Sequence, residues 1–222
     1  MSEAAEQVLP LENKWELSEQ YQMDERQEKT QEYANSFEKL CVFDSVESFW
    51  QFWNRLPSIG DVFYDGNEKL VCRSDRRHSD EPPKKYRILG QCIFKEGIEP
   101  KYEDPQNMKG GNMRVVFGSI CTHLDEYVDE DKKISNFWET LVLSVIGETL
   151  DDGDNITGIR VIDKSNPYKK QVSHRVEIWF RDWKNEVFKT LLQERVEKLM
   201  ESCDIHPKDL SFSENDFSKW TK

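Results

Sequence analysis

What this sequence lacks narrows its chemistry before any motif is sought. Of its 222 residues, 5 are Cys and 4 are His. The cysteines, at positions 41, 72, 92, 121 and 203, include no Cys-x-x-Cys pair. Odd in number and widely spaced, they read as reduced thiols, with neither a disulfide framework nor a zinc site. There is no P-loop, no His-Glu-x-x-His, no Gly-x-Ser-x-Gly and no dinucleotide fingerprint, so no familiar catalytic constellation stands out. Asp151-Asp152-Gly153-Asp154 starts like a calcium loop, but the later ligand positions are not filled, and it reads as a turn of solvated acids. No apolar run approaches the roughly 18–20 residues that cross a bilayer. The start, Met1-Ser-Glu-Ala-Ala-Glu6, has neither the basic nor the apolar part of a signal peptide. The expectation is a cytoplasmic protein with no membrane contact, no cofactor and no metal.

Positive charge is also in short supply. Lys and Arg number 31 against 43 Asp and Glu, for a net charge of −12. That argues against a protein that coats a nucleic-acid backbone, since such binding rests on neutralising phosphates. A pocket for one nucleotide stays open, because it needs only a few local bases, and an acidic surface suits basic partners and electrostatic steering. Aromatic surface is plentiful: 7 Trp, 7 Tyr and 12 Phe, enough for a core with some left to display. The length fits one domain, which usually runs to about 100–200 residues.

Along the chain, residues 1–8 are polar and are expected to form a disordered tail. Leu9 to Trp15 is a short apolar patch leading into a first strand, and Glu16 to Gln31 is polar enough to read as a loop. Phe37 to Phe43 has strand character. Asp44-Ser-Val-Glu47 is a helix-start signal, a capping side chain answered three residues later by Glu. Val46, Phe49, Trp50, Trp53 and Leu56 then keep helical spacing until Pro57. A surface insertion is expected within about residues 57–92, with Pro82-Pro83 excluding a helix through its middle; Tyr86 to Phe94 reads as a strand. Met113 to Ile120 is a further strand, and Asp125 to Asp131 an acidic loop. Ile134 to Gly147 is the clearest helix, its buried face traced by Ile134, Phe137, Trp138, Leu141, Val142, Val145 and Ile146. Ile156 to Ile162 and Val172 to Phe180 read as an antiparallel pair. Val187, Phe188, Leu191, Leu192, Val196, Leu199 and Met200 mark a third helix, and residues 213–222 a charged tail. Together these predict an α+β domain over residues 9–212, a mainly antiparallel sheet with three helices on one face.

The segment from Phe94 to Gly111 is punctuated by Gly97, Pro100, Pro105 and Gly110-Gly111, which marks a loop. It sets Tyr102 directly beside Glu103. A flat π-face next to a carboxylate suits a ligand that is planar and positively charged, such as a methylated purine; an ordinary connection with a solvated acid is the alternative. Other members of the constellation are Tyr33, Trp179, Lys164, Lys169, Lys170 and Arg175. Strand alternation puts Arg175, Glu177 and Trp179 on one face, opposite Val176, Ile178 and Phe180. If the apolar face is core, a base and a displayed aromatic share the open face.

At this point the chain resembles the mRNA cap-binding family of eukaryotic translation initiation factor 4E. The resemblance spans about residues 9–212. It rests on Pro10-Leu-Glu-Asn-Lys-Trp15, Phe43-Asp-Ser-Val-Glu-Ser-Phe-Trp50, Phe94-Lys-Glu-Gly-Ile-Glu-Pro100 with Glu103-Asp104, Gly110-Gly111, Phe137-Trp-Glu-Thr-Leu141 and Ile146-Gly-Glu148. It implies a curved antiparallel sheet with three helices on the convex back and a cap pocket in the concave front. It implies a 7-methylguanine base between Tyr33 and Tyr102, its edge read by Glu103, Trp179 against the methyl group, and Lys164 and Arg175 on the phosphates. On the back it assigns Pro10, Leu11, Val46, Trp50 and Leu143 to an amphipathic helix of the scaffold factor 4G or of a repressor. The implied molecule is a non-enzymatic monomer bound to capped mRNA. The alternatives are a homologue that represses translation without scaffold recruitment and a nucleotide-processing enzyme using Glu103. The chain departs from the family pattern with Tyr where both stacking positions usually hold Trp, with Asn112 and Met113, and with Glu139 and Thr140. Weaker binding of a simple cap nucleotide, or preference for a differently modified cap, is the expectation from those departures.

Overall fold

The computed structural model describes residues 8–22, 36–73, 84–120, 124–151, 154–205 and 210–215. Its frame is a seven-stranded antiparallel sheet built from β1 (Pro10–Tyr21), β2 (Phe37–Ser45), β5 (Ile88–Lys95), β6 (Gly111–Ile120), β7 (Ile156–Asp163), β8 (Gln171–Phe180) and β9 (Leu210–Glu214). The spatial order is β2-β1-β5-β7-β8-β6-β9, and every pairing is antiparallel. β3 (Val71–Arg73) and β4 (Lys84–Tyr86) form a separate two-stranded sheet. The helices are α1 (Val46–Trp53), the single turn α2 (Ile59–Val62), α3 (Leu124–Ile146) and α4 (Glu186–Ser202). None of them is long and apolar enough to cross a membrane, among the described residues.

The core lies between one sheet face and the helices. On β8, Val176, Ile178 and Phe180 enter it, and on β7, Ile156, Ile159 and Val161. From α3 come Phe137, Trp138, Leu141, Val142 and Val145, the expected stripe, and from α4 Phe188, Leu192, Val196 and Met200. Burying such side chains contributes about 1.5–3 kcal/mol each, which fixes the register of the strands, since a one-residue slip would expose the set.

Four expectations need correction. β1 runs through residues 16–21, where a loop was expected. Its inward positions are Trp15, Leu17, Glu19 and Tyr21, and the buried Glu19 accepts a hydrogen bond from the Tyr21 hydroxyl at 2.7 Å. A carboxylate so satisfied can sit in a core. The acidic stretch 125–131 belongs to α3, not to a loop. It lacks apolar periodicity, but no Gly or Pro lies between Leu124 and Ile146 to break a helix. The sheet also continues past residue 212, because β9 extends to Glu214 and Asn215 is buried behind it. Finally, the 57–92 region is not wholly on the surface: Ile59, Val62, Phe63 and Tyr64 are buried, and α2 adds a fourth helical segment to the three expected.

The capping box of α1 sits one residue later than the sequence implied. Ser45 caps, accepting from the Ser48 amide at 3.2 Å, while Ser48 accepts from the Ser45 amide at 3.0 Å. Glu47, freed from that role, accepts from the Leu9 amide at 3.1 Å, and the Leu9 carbonyl accepts from the Val46 amide at 2.9 Å. The start of β1 is thereby fastened to the start of α1.

Candidate functional site

The sheet face away from the helices carries side chains in cross-strand rows. Phe94, Gly158, Trp179 and Asn112 are successive register partners across β5, β7, β8 and β6. Beside them runs the row Cys92, Arg160, Glu177 and Arg114. The first row is aromatic and the second is charged. Gly158 makes the first possible: a Cβ there would fall 2.3 Å from the Phe94 ring. With none present, Phe94 lies across the glycine and meets Trp179 edge-on, ring centroids 5.7 Å apart.

Trp179 does share this face with Arg175 and Glu177, as strand alternation requires, but it is not displayed. It is 0% exposed. Tyr102, from the β5–β6 loop, stacks on it with centroids 4.8 Å apart and planes 14° from parallel. The Arg160 guanidinium carbon lies 4.8 Å from the indole centroid, a cation–π contact. Three neighbours thus cover the indole, and its N–H donates to Glu177 Oε2 at 3.0 Å.

The β5–β6 loop is held in shape by its own side chains. Asn107, fully buried, donates to the carbonyls of Glu99 at 3.0 Å and Lys101 at 2.9 Å, and its side-chain oxygen accepts from Thr157 at 2.8 Å. Asp104 accepts from the amides of Glu99 and Gln106 at 2.9 and 2.8 Å. These bonds flank Tyr102 and Glu103 on both sides. Glu103 itself is exposed, with no hydrogen-bond or ion-pair partner among the described residues.

Glu177 is the anionic centre of the charged row. Arg160 Nε donates to Oε2 at 2.5 Å. Arg175 Nε lies 2.8 Å from Oε1, close enough for an ion pair but not aligned as a hydrogen bond. Arg114 Nε is 3.8 Å from Oε1. Burial alone would raise the carboxyl pKa; Arg160 and Arg175, with the hydrogen bonds from Arg160 and Trp179, outweigh it and hold the pKa below the ordinary value. Lys164 follows the end of β7. Partial burial, then Arg175 and Arg160, hold its pKa below the usual lysine value, although the residue as a whole is exposed. One buried acid among three arginines and a lysine leaves a local excess of positive charge within a chain of net charge −12. Cys92 is no nucleophile here, since burial pushes its thiol up to about 12.

Of the residues singled out for this face, Tyr102, Trp179 and Arg175 come together and Lys164 stands at the margin, while Glu103 is exposed. Tyr33 lies outside the described residues. Arg160 and Asn107 escaped the sequence reading. The signal for Arg160 was its register opposite Glu177 in the β7–β8 pair.

On the helix side, Pro10 pairs with Ser45, which puts Pro10 and Leu11 next to Val46. Leu11 and Trp50 are partly buried against the core, and Leu143 on α3 is 37% exposed. A cleft of about 280 Å³ lined by Trp53, Leu56, Ile59, Gln91 and Trp138 opens on this side, away from the Tyr102–Trp179 pair.

Comparison with known proteins gives one consistent result. The model of the family described as eukaryotic initiation factor 4E matches residues 78–220. A eukaryotic translation initiation factor 4E from Dictyostelium discoideum is 26% identical over 177 residues, covering 80% of this chain and 54% of that protein. The chain therefore spans about half the length of that relative. Among solved structures, the complex of C. elegans eIF4E-3 with the 4E-binding protein Mextli superposes with a TM-score of 0.69 at 22% identity, covering 96% of this chain and 97% of that one. The complex of Ascaris suum eIF4E-3 with m7G cap does so with a TM-score of 0.67 at 21% identity, covering 94% and 92%.

Proposed function

Because the chain belongs to the eukaryotic initiation factor 4E family, we propose that it binds the 7-methylguanosine cap of mRNA on the open sheet face and recruits a helical partner on the other. The observation that carries this reading is the Tyr102–Trp179 stack beside the Arg160–Glu177–Arg175 cluster. Methylation at N7 makes the guanine ring cationic, so a tyrosine face gains a cation–π term in addition to stacking. In this reading Tyr102 swings off Trp179 and stacks on one face of the base, and Tyr33 closes the other. Glu103 accepts charge-assisted hydrogen bonds from the Watson–Crick edge, and Trp179 meets the methyl group. Arg175, Arg160 and Lys164 face the triphosphate.

The magnitudes are sufficient. Two stacks contribute about 1–3 kcal/mol each and charged hydrogen bonds about 1.5–3 each. Breaking the Tyr102–Trp179 stack costs about 0.5–1.5 kcal/mol, and micromolar binding needs about 8. Fluorescence titration with 7-methyl-GTP against GTP is the test: binding that prefers the methylated nucleotide is expected, and equal response to both overturns the reading. The chain acts by binding and performs no chemistry on the cap, so a cap analogue incubated with it is recovered unchanged. Its setting is the cytoplasm, and its unit a monomer.

The partner is a scaffold factor 4G or a 4E-binding repressor, held as an amphipathic helix by Pro10, Leu11, Val46, Trp50 and Leu143. Glu177 favours a second reading, a regulator that holds caps loosely without scaffold recruitment, because a carboxylate already occupies the arginines that would face phosphate. Pull-down with a scaffold-derived helix separates the two, capture supporting the first.

A further inference from the structure

β7 and β8 extend beyond the charged row into a hairpin whose tip is tightly built. Asn166 and Gln171 exchange backbone hydrogen bonds at 2.8 and 3.0 Å, and the turn between them is a 3-10 helix, Pro167–Lys169. The Asn166 side chain caps that turn by accepting from the Lys169 amide at 3.1 Å, and Lys170 closes it in the left-handed region at φ 49°. Below the tip, Ser165 Oγ accepts from the Ser173 amide at 3.0 Å. At the root, Asp163 accepts from Arg87 at 2.6 Å and from the Tyr64 amide at 3.1 Å. A turn with so many of its polar groups paired is a rigid mount. What it mounts is Tyr168, 100% exposed, flanked by the exposed Lys169 and Lys170.

Charge and direction set this tip apart from an ordinary turn. From Lys164 to Arg175 the chain has no acidic residue, although it carries 43 Asp and Glu overall. On β8, Trp179, Glu177, Arg175, Ser173 and Gln171 alternate onto one face. At about 3.3 Å per residue, the strand carries that face some 13 Å from Trp179 to Arg175 and about as far again from Arg175 to Gln171. A ligand with its base at Trp179 and its phosphates at Arg175 is therefore aimed along the strand at the tip.

We infer that Tyr168, Lys169 and Lys170 form a second contact for capped RNA, taking the single strand immediately 3′ of the cap. This rests on the cap-binding reading above. The exposed phenol ring supplies a stacking platform, which tolerates any base because every base has a π-face. The two lysines neutralise phosphates of the strand as it leaves the triphosphate. The site is sequence-tolerant, and it adds affinity for RNA that a cap nucleotide alone does not report.

The test compares 7-methyl-GTP with an unstructured capped oligonucleotide of about ten residues, on the full chain and on two variants, Tyr168→Ala and the pair Lys169→Gln with Lys170→Asn. Asn is chosen at 170 because it tolerates the left-handed region. The unaltered chain is expected to bind the oligonucleotide more tightly than 7-methyl-GTP. Tyr168→Ala should remove about fivefold or more of that advantage. The lysine pair should make the salt dependence of oligonucleotide binding shallower by about 1.4 in the log–log slope. Tyr168→Ala should leave 7-methyl-GTP affinity unchanged. No oligonucleotide advantage, or one that survives both variants while 7-methyl-GTP binds, overturns this inference alone. Failure of the unaltered chain to bind 7-methyl-GTP overturns the cap reading and this inference with it.

Discussion

Tyr102 lies flat on Trp179, ring centroids 4.8 Å apart and planes 14° from parallel, and the indole beneath it is fully buried. The loop residue fills the space over the aromatic that a base would need. Replacing it tests that closure. Tyr102→Ala should expose Trp179 and shift tryptophan emission to longer wavelength without ligand. The same variant loses one base stack of about 1–3 kcal/mol but no longer breaks the Tyr102–Trp179 stack of about 0.5–1.5, so 7-methyl-GTP binding should weaken by a net of about 1 kcal/mol, roughly fivefold in Kd. Emission that does not move would mean that other groups seal the indole.

Glu177 and Arg160, 2.5 Å apart and both buried, make the second relationship that sets affinity. Glu177→Gln keeps an acceptor for the Trp179 N–H but removes the charge that offsets Arg160, Arg175 and Arg114. Two opposite effects follow. The free protein should lose on the order of 3 kcal/mol of stability, as expected when one partner of a buried pair is removed. Binding of 7-methyl-GTP should tighten by about tenfold, ~1.4 kcal/mol, with little change for 7-methylguanosine, which has no phosphate. Denaturant melts and titration of both ligands read the two effects separately.

How far the sequence revealed this site depends on which physical signal each residue left. Strand alternation placed Arg175, Glu177 and Trp179 on one face, and the structure agrees. It said nothing of the cover on Trp179, because Tyr102, Phe94 and Arg160 come from other segments and arrive only through tertiary packing. Arg160 sits in a run of buried positions, Ile156 to Asp163, and nothing in that run by itself marks a lone Arg as part of a site. Its meaning appears only with Glu177 as its register partner. Glu19 hid the second half of β1 for a related reason: a buried carboxylate breaks the apolar period, and its hydrogen bond from Tyr21 is invisible in composition. The helices were easier. The stripe of α3 is continuous from Ile134 to Ile146, whereas its acidic first turns follow no apolar rule.

Trp50 and Leu143 test the opposite face. Trp50→Ala should weaken capture of an amphipathic scaffold-derived helix by at least 2 kcal/mol, about thirtyfold, the scale of an aromatic hot spot. Cap binding should be unchanged, since Trp50 packs on the helix side through an edge contact with Phe49, centroids 5.0 Å apart. Loss of both activities together would point to unfolding, which the thermal melt of the variant detects.

His174 should make stability fall as the pH drops below the ordinary histidine value. Its ring is 1% exposed and tilts against Phe63 at a centroid distance of 5.4 Å. Burial holds its pKa below the ordinary value, against the pull of Asp163, whose Oδ1 is 4.0 Å from Nε2, and of the Tyr64 backbone; Lys69 and Arg87 push in the same direction as burial. The sign follows from proton uptake. Below the unfolded value of about 6.5, the unfolded chain takes up a proton that the folded ring refuses, so the unfolded state gains and stability falls as pH drops. Asp163 and Glu177 have depressed pKa values; their contribution is present above the unfolded carboxylate values near 4 and is lost only as pH falls further. The denaturation midpoint should therefore decline between pH 6.5 and 5, and His174→Gln, which has no proton to gain, should flatten that part of the curve while leaving the drop below pH 4 in place. A decline of equal slope in the variant would assign it to another group.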